Sequence, residues 1–282
     1  MAGACSGSGS PSGDGHDHVV ATYVVVDANV STSQLTADAR ELSTRLRTFG
    51  DAGASVAVRR RSVVVSGMSR LRVPASVLLA TGAFQLRPVL CQADRYTAPA
   101  PGTIVGIVPT ACSSSRYSLQ APNLTVDTVT GSSNASAIPP DPALSSYPST
   151  SATDNDAHPD STVLVPAVGE GGARYLLGPT ALDDPAVAST RVTFQPEEWV
   201  VDVTLTGPGA TAWDALARRF FHELIGVDVD GRAMSVSITE PSESVFTSFA
   251  DRLQISGNFG RQSAEALAAY LDSGPLTTPL SA

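Results

Sequence analysis

The sequence predicts an α+β protein built as two small α/β-sandwich subdomains, and three observations carry that prediction. Residues 19–91 alternate extended and helical patterns in the order strand, helix, strand, strand, helix, strand. Residues 162–282 hold a second series of strands with two amphipathic helices. Between them, residues 92–161 are rich in proline, serine and threonine and have little to bury, so they read as an insertion, disordered or loosely attached from 120 to 160. Residues 1–18 form a Gly/Ser-rich linker ahead of the first subdomain.

The first subdomain begins with the β-branched and aromatic run Thr22 to Val26, a buried strand. Ser31 and Gln34 have capping-box spacing, and Leu35, Ala39, Leu42, Leu46 and Phe49 fall on one helical face that Gly50 ends. Glu41 and Arg45 are spaced to pair on the outer face. Ser55–Val58 and Ser62–Ser66 are strands around the tip Arg59-Arg60-Arg61. That tip is a candidate contact for an anionic head group or acidic peptide, weighed against simple solvation. Pro74–Ala80 is a short helix closed by Gly82, and Ala83–Leu90 a fourth strand. This order is the ferredoxin-like βαββαβ layout, with two helices on one face of a four-stranded sheet. Thr103–Val108 adds one short strand within the insertion.

In the second subdomain Val163–Val165 and Arg174–Leu177 flank a glycine-rich hairpin turn. Asp183-Asp184 are paired carboxylates whose expected role is in a turn or cap. Trp199, Val201, Val203 and Leu205 alternate with polar neighbours, the pattern of a half-buried strand. Gly207-Pro208-Gly209 turns the chain into a helix whose expected cap is Thr211 with Asp214, and whose core stripe is Trp213, Leu216, Ala217, Phe220 and Leu224. His222 lies beside that stripe and reads as structural, because no cysteine or serine partner accompanies it. Val227–Asp230 and Arg232–Ile238 pair through Asp230-Gly231. The loop Thr239–Ala250 carries Phe246 and Phe249, expected either to form a partner contact or to pack on the sheet. Leu253–Phe259 is a strand and bend leading to a last helix, which Gly274-Pro275 ends.

Composition bounds the chemistry. The 282 residues carry a formal charge of −9, a pI near 4.8 and no lysine, which argues against nucleic acid as a partner. No apolar run approaches the roughly 18 residues of a membrane helix. Met1-Ala2-Gly3-Ala4 before Cys5, followed by a Ser/Gly run, resembles a bacterial lipoprotein processing site, with lipid on Cys5 and the true start upstream of Met1. The alternative is an ordinary tail that contains a cysteine. With Cys5 lipidated, Cys91 and Cys112 remain as an even pair, either bridged in an oxidising envelope for roughly 3 kcal/mol or two separate thiols. His16-Asp17-His18 has no further metal ligand nearby. The sequence therefore predicts no catalytic residues, no metal and no cofactor.

Several stretches together resemble the first extracytoplasmic domain of SecD, a membrane subunit that assists bacterial protein export. They are Arg174-Tyr175-Leu176-Leu177-Gly178-Pro179, Trp199 to Leu205, Gly209-Ala210, Asp230-Gly231, Gln254 to Phe259 and the final Ala266 to Leu276. Residues 22–90, with Phe84-Gln85-Leu86-Arg87-Pro88-Val89, are similar to that domain's base, and residues 162–280 to its head, a mixed sheet with helices on one face. The loop Thr239–Ala250 departs from the family pattern. The resemblance implies a non-enzymatic, lipid-anchored module on the outer face of the cytoplasmic membrane. It would bind secreted polypeptide or Sec translocon components, without the family's membrane helices and their proton-driven cycle. A second implication is a SecD-derived fold reused for a small ligand or a cell-envelope polymer.

Overall fold

The computed structural model describes residues 18–25, 29–67, 71–103, 106–113, 140–168, 171–195, 197–239, 245–257, 259–278 and 280–281. Its elements begin with β1 (His18–Val25), α1 (Thr32–Thr48), β2 (Ser55–Arg59), β3 (Ser62–Gly67), α2 (Ala75–Leu78) and β4 (Phe84–Ala93). A 3-10 turn at Pro142–Leu144 precedes α3 (Ala152–Ala157), β5 (Val163–Pro166), β6 (Arg174–Leu177) and β7 (Leu182–Asp183). Then follow β8 (Val187–Gln195), β9 (Glu198–Leu205), α4 (Gly207–Arg219), β10 (Leu224–Val229) and β11 (Arg232–Ile238). The chain closes with β12 (Arg252–Ile255), α5 (Arg261–Ser273) and β13 (Leu280–Ser281).

The N-terminal sheet has the order β13-β1-β3-β2, and every pairing in it is antiparallel. This corrects the ferredoxin-like expectation. Strand β4 does not join the sheet, and its fourth place is taken by β13 from the far end of the chain, with Val24 opposite Ser281. Helix α1 begins at the expected cap, where Ser31 Oγ accepts from Gln34 N and Gln34 Oε1 accepts from Ser31 N at 2.9 Å. The helix also holds the returning segment, because Asp38 accepts from Thr277 N at 2.7 Å and from Thr277 Oγ1 at 3.0 Å.

Strand β4 is the centre of a second sheet, β11-β10-β4-β6-β5, with β7 beside it. Ala167 bridges Ala233, and Val168 N donates to Ala233 O at 2.9 Å, so β5 meets β11 and the sheet closes into a small barrel. Val89, Val163, Val165, Tyr175, Leu177 and Leu224 fill its interior. Gly226 belongs there because a Cβ would stand 3.1 Å from Leu177 Cδ2. The boundary expected at residue 91 falls inside β4, and residues 140–161 are ordered on the barrel instead of loosely attached. Residues 106–108 are not in a strand.

The third sheet, β12-β9-β8, is antiparallel, so the strands after residue 162 fall into two separate sheets instead of the single one expected. Val201, Val203, Leu205, Leu253 and Ile255 face the main core shared with α1 and α5. Helix α4 starts four residues earlier than the expected cap. Thr206 is the N-cap, its Oγ1 accepting from Gly209 N at 3.2 Å, and Pro208 sits in the first turn, where its missing N–H leaves no bond unmade. The helix ends at Arg219, so His222 lies in the following turn with a φ of 63°.

Buried arginines fix the irregular segments. Arg87, paired with Asp228 at 3.5 Å, donates to the carbonyls of Ser161 and Gly178 at 2.9 Å each. Arg174 donates to the carbonyls of Asp94 at 2.8 Å and Leu144 at 3.0 Å, and also to that of Tyr147. Segments without regular hydrogen bonds of their own are thereby satisfied and held against the barrel.

Candidate functional site

A cleft of about 830 Å³ opens between the outer face of the barrel and the three-stranded sheet. Leu86, Ile225 and Val227 form its apolar floor on the barrel side. Their strand neighbours on that face, Ser235 opposite Val227 and Ser237 opposite Ile225, are joined by Thr239 in a row of hydroxyls spaced two residues apart. Leu253 and Ile255 of β12 line the other side. Both β11 and β12 are end strands of their sheet paths, and among the described residues β12 pairs only with β9, so its other edge faces no partner strand there.

Helix α4 supplies the last wall. Trp213 lies 5.4 Å, ring to ring, from Phe249, and both line the cleft. Asp214 holds that loop in place by accepting from Phe249 N at 3.0 Å and from Ser248 Oγ. Phe246 packs behind it, 6.2 Å from Phe249 and under the Arg218 guanidinium at 4.6 Å. The two phenylalanines are therefore half-buried against α4, and only Phe249 reaches the cleft. Arg59, Arg60 and Arg61 are exposed on the β2–β3 turn, away from the cleft lining.

Charge gathers around the start of β4 and the end of α5. Arg45, fully buried in α1, donates to Ser273 Oγ at 3.0 Å and Thr81 O at 2.8 Å. The expectation that it pairs with Glu41 on the outer face is replaced by this inward role. Asp184 accepts from Phe84 N and Asp230 from Ala83 N, each at 3.0 Å, so two carboxylates clamp the start of β4. Burial pushes the Asp184 carboxyl up to about 7 and raises that of Asp230.

Cys91 and Cys112 are joined by a disulfide with their Cα atoms 6.2 Å apart. Asp141 lies beside them, but its oxygens accept from Ser113 N and Ser113 Oγ at 2.6 Å and from Ala143 N at 3.0 Å. With both sulfurs bonded to each other, this trio lacks the free ligands a metal needs. Cys5 and Asn258 lie outside the described residues. No helix among the described residues is long and apolar enough to cross a membrane.

Residues 162–278 match the family model for the SecDF P1 head subdomain. Over that stretch the chain is similar to a SecDF-type P1 head. A crystal structure of SecDF in a super-membrane-facing form superposes with a TM-score of 0.54 at 14% identity, covering 96% of this chain and 31% of that one. A second SecDF structure, described as a membrane component that enhances protein export, gives a TM-score of 0.51 at 16% identity and covers 92% of this chain and 96% of that one. This chain thus spans about a third of the longer SecDF protein it matches, and at these identities the likeness shows the fold. No curated protein matched the sequence. Helix α4 and strands β11 and β12 lie within the matched residues, and β4 adds Leu86 to the cleft from outside them.

The aromatic and polar members of the cleft were visible in the sequence only as a core stripe and a strand. Trp213 looks like any helix core position, and Ser235 and Ser237 like the wet face of a hairpin. Strand β8, which positions β9 and hence β12, was not predicted, although its residues Val187, Val192 and Phe194 carried a usable signal.

Proposed function

We propose that this protein is a non-enzymatic, extracytoplasmic SecDF-like module that holds extended segments of exported polypeptide. The observation that carries the reading is the cleft, with its apolar floor beside a strand edge open to main-chain pairing. An unfolded chain offers apolar side chains on alternate residues together with unpaired main-chain groups, and strand addition at β12 answers both. The work is binding. Proton-driven pulling requires ionisable groups inside a membrane and is no part of this proposal. A lipid on Cys5 would keep the module at the outer face of the cytoplasmic membrane, and the Arg59–Arg61 turn is its site of contact with acidic surfaces.

Photo-crosslinkers placed at Ser237 and Leu253, with the exposed Arg40 of α1 as a control away from the cleft lining, test the polypeptide reading. An unfolded secreted protein should label the first two positions and spare the third. Equal labelling at all three would refute it. Cys5→Ala in the full-length gene should release the protein from membranes, and retention would remove the anchor from the proposal.

The cleft volume also suits a small ligand, because such sites span roughly 300–1,000 Å³. A thermal-shift panel of cell-envelope fragments separates the two readings, since a tight small ligand raises the melting temperature at ligand excess.

A further inference from the structure

Strand β12 borders the cleft as an edge, and its hydrogen-bonding parity fixes which main-chain groups are free. Leu205 N donates to Asp251 O at 2.7 Å, in a register that continues with Arg252 opposite Thr204 and Leu253 opposite Val203. In an antiparallel pair only alternate residues bond to the partner strand. Asp251, Leu253 and Ile255 therefore bond to β9, while Arg252, Gln254 and Ser256 turn their N–H and C=O groups the other way. Two further bonds agree with that direction, since Arg252 N donates to Phe249 O at 3.2 Å and Ser256 O accepts from Ser235 Oγ of β11. The edge is thus tied at each end and open at its centre, where the N–H and C=O of Gln254 have no partner among the described residues.

Such an edge admits one short antiparallel segment and sets its register. One ligand residue exchanges both bonds with Gln254, and its side chain stands on the same face as that of Gln254. The Asp202 carboxylate on that face is already engaged, accepting from Gln254 Nε2 and from Thr193 Oγ1 at 2.8 Å each. The ligand residues before and after stand on the face of Leu253 and Ile255, the apolar side of the cleft. Two positions after the paired residue, the segment passes Arg252. This guanidinium is exposed, lines the cleft and forms no ion pair among the described residues. Its neighbour on β9 is the uncharged Thr204, Asp251 alternates to the opposite face, and Arg191 stands on β8, two strands from the edge.

Resting on the polypeptide-binding reading, we infer that Arg252 is the specificity-determining residue of this edge. The bound segment is fixed through its main chain at Gln254 and carries an acidic residue beside Arg252, two positions after the residue paired with Gln254. Apolar residues flank that paired residue. The ligand class is thus a short, extended stretch of polypeptide with alternate apolar side chains and one carboxylate in this register.

The test titrates the capped peptides Ser-Val-Thr-Val-Glu-Ser and Ser-Val-Thr-Val-Lys-Ser into the full chain by calorimetry. The Glu peptide should bind about two- to thirty-fold tighter than the Lys peptide, the worth of one cross-strand ion pair gained and one repulsion avoided. Arg252→Glu should reverse that order. Gln254→Ala keeps the main-chain donor and should keep the preference. Gln254→Pro removes the donor and should bind neither peptide while still folding, because an edge strand accepts proline where its nitrogen faces away from the partner strand. Should Gln254→Pro not fold, the Glu peptide N-methylated at its threonine decides in its place, and it should not bind the wild type. Equal affinity for the two peptides, or binding retained by Gln254→Pro or by the methylated peptide, overturns the inference. If neither peptide binds while an unfolded secreted protein still labels Ser237 and Leu253, the inference fails and the polypeptide reading stands. If that labelling is absent too, both fail.

Discussion

Replacing Arg45 with alanine tests whether α1, the segment before β4 and the end of α5 are joined by one buried guanidinium. Its Nε donates to Ser273 Oγ at 3.0 Å, and its two terminal nitrogens donate to the carbonyls of Val77 at 3.3 Å, Leu78 at 3.2 Å, Thr81 at 2.8 Å and Gly274 at 3.2 Å, and to that of Ala80. The guanidinium also lies 5.0 Å from the Tyr270 ring. Deleting it strips the donor from five main-chain acceptors. Each acceptor left dry costs about 1–3 kcal/mol. If relaxation and water rescue all but two, the loss is about 4 kcal/mol, in line with the 3–5 kcal/mol or so seen on removing one partner of a buried charged group. That is a large part of a domain's stability of about 5–15 kcal/mol. With a urea m-value of about 2–3 kcal/mol/M, the midpoint should fall by about 1.3–2 M. Arg45→Lys should lose most of the same amount, since a point-like ammonium does not span acceptors on both sides of the fork. Amide exchange should accelerate first around Leu78–Thr81 and Gly274–Leu276. A loss below about 1 kcal/mol would refute the reasoning, because the carbonyls would then be wet in the native protein.

Gly209→Ala should destabilise by about 1–3 kcal/mol by thermal melting, since a Cβ there would collide with the main chain of Ala186, an unyielding neighbour. The Asp184 carboxyl, raised to about 7 from 3.8, binds its proton more tightly in the folded than in the unfolded state. Its contribution is therefore full below about pH 4 and is lost as pH rises through about 7. Wild-type stability measured against Asp184→Asn should decline across that window, and parallel curves would contradict the assignment. Cys112→Ser opens a loop of 21 residues and should cost about 3 kcal/mol in denaturant unfolding, with dithiothreitol reproducing the loss in the wild type. Arg59→Ala, Arg60→Ala and Arg61→Ala combined should leave the melting temperature unchanged and lower retention on anionic vesicles.

Local pattern was enough for most elements. The capping box at Ser31 and Gln34, the Asp230-Gly231 turn and the Gly274 stop are short-range devices, and each sits where its residues put it. Pairing between distant strands was not legible. Strand β4 is buried almost throughout, which marks a central strand but does not say of which sheet. Strand β13 is two residues long and pairs with a strand at the opposite end of the sequence, so no local window contains the signal. Buried arginines were misread for a related reason. A helical Arg45 four residues after Glu41 fits a surface pair, and only the tertiary structure reveals carbonyls waiting on the inner side.

The topology makes the cleft depend on residues far from it. Because β13 completes the sheet begun by β1, β2 and β3, the other two sheets are inserted within the span of that first sheet, and two covalent passages join them to it, one through β4 and one through α5. The β4 passage is clamped at its entry by Asp184 and Asp230 through the amides of Phe84 and Ala83. At the α5 exit, Arg45 grips Ser273 and Gly274, and Asp38 grips Thr277. These clamps hold β4, which carries the barrel floor of the cleft, and α5, which packs on β8 and β9 behind its other wall. A change at the junction therefore moves the two walls relative to each other, without touching any residue that lines the cleft. Variants of Arg45 or Asp184 that still fold are expected to alter peptide affinity at constant cleft chemistry. Variants of Leu253 or Trp213 are expected to alter affinity while leaving the exchange rates at the junction as they were. That separation distinguishes positioning of the cleft from recognition within it.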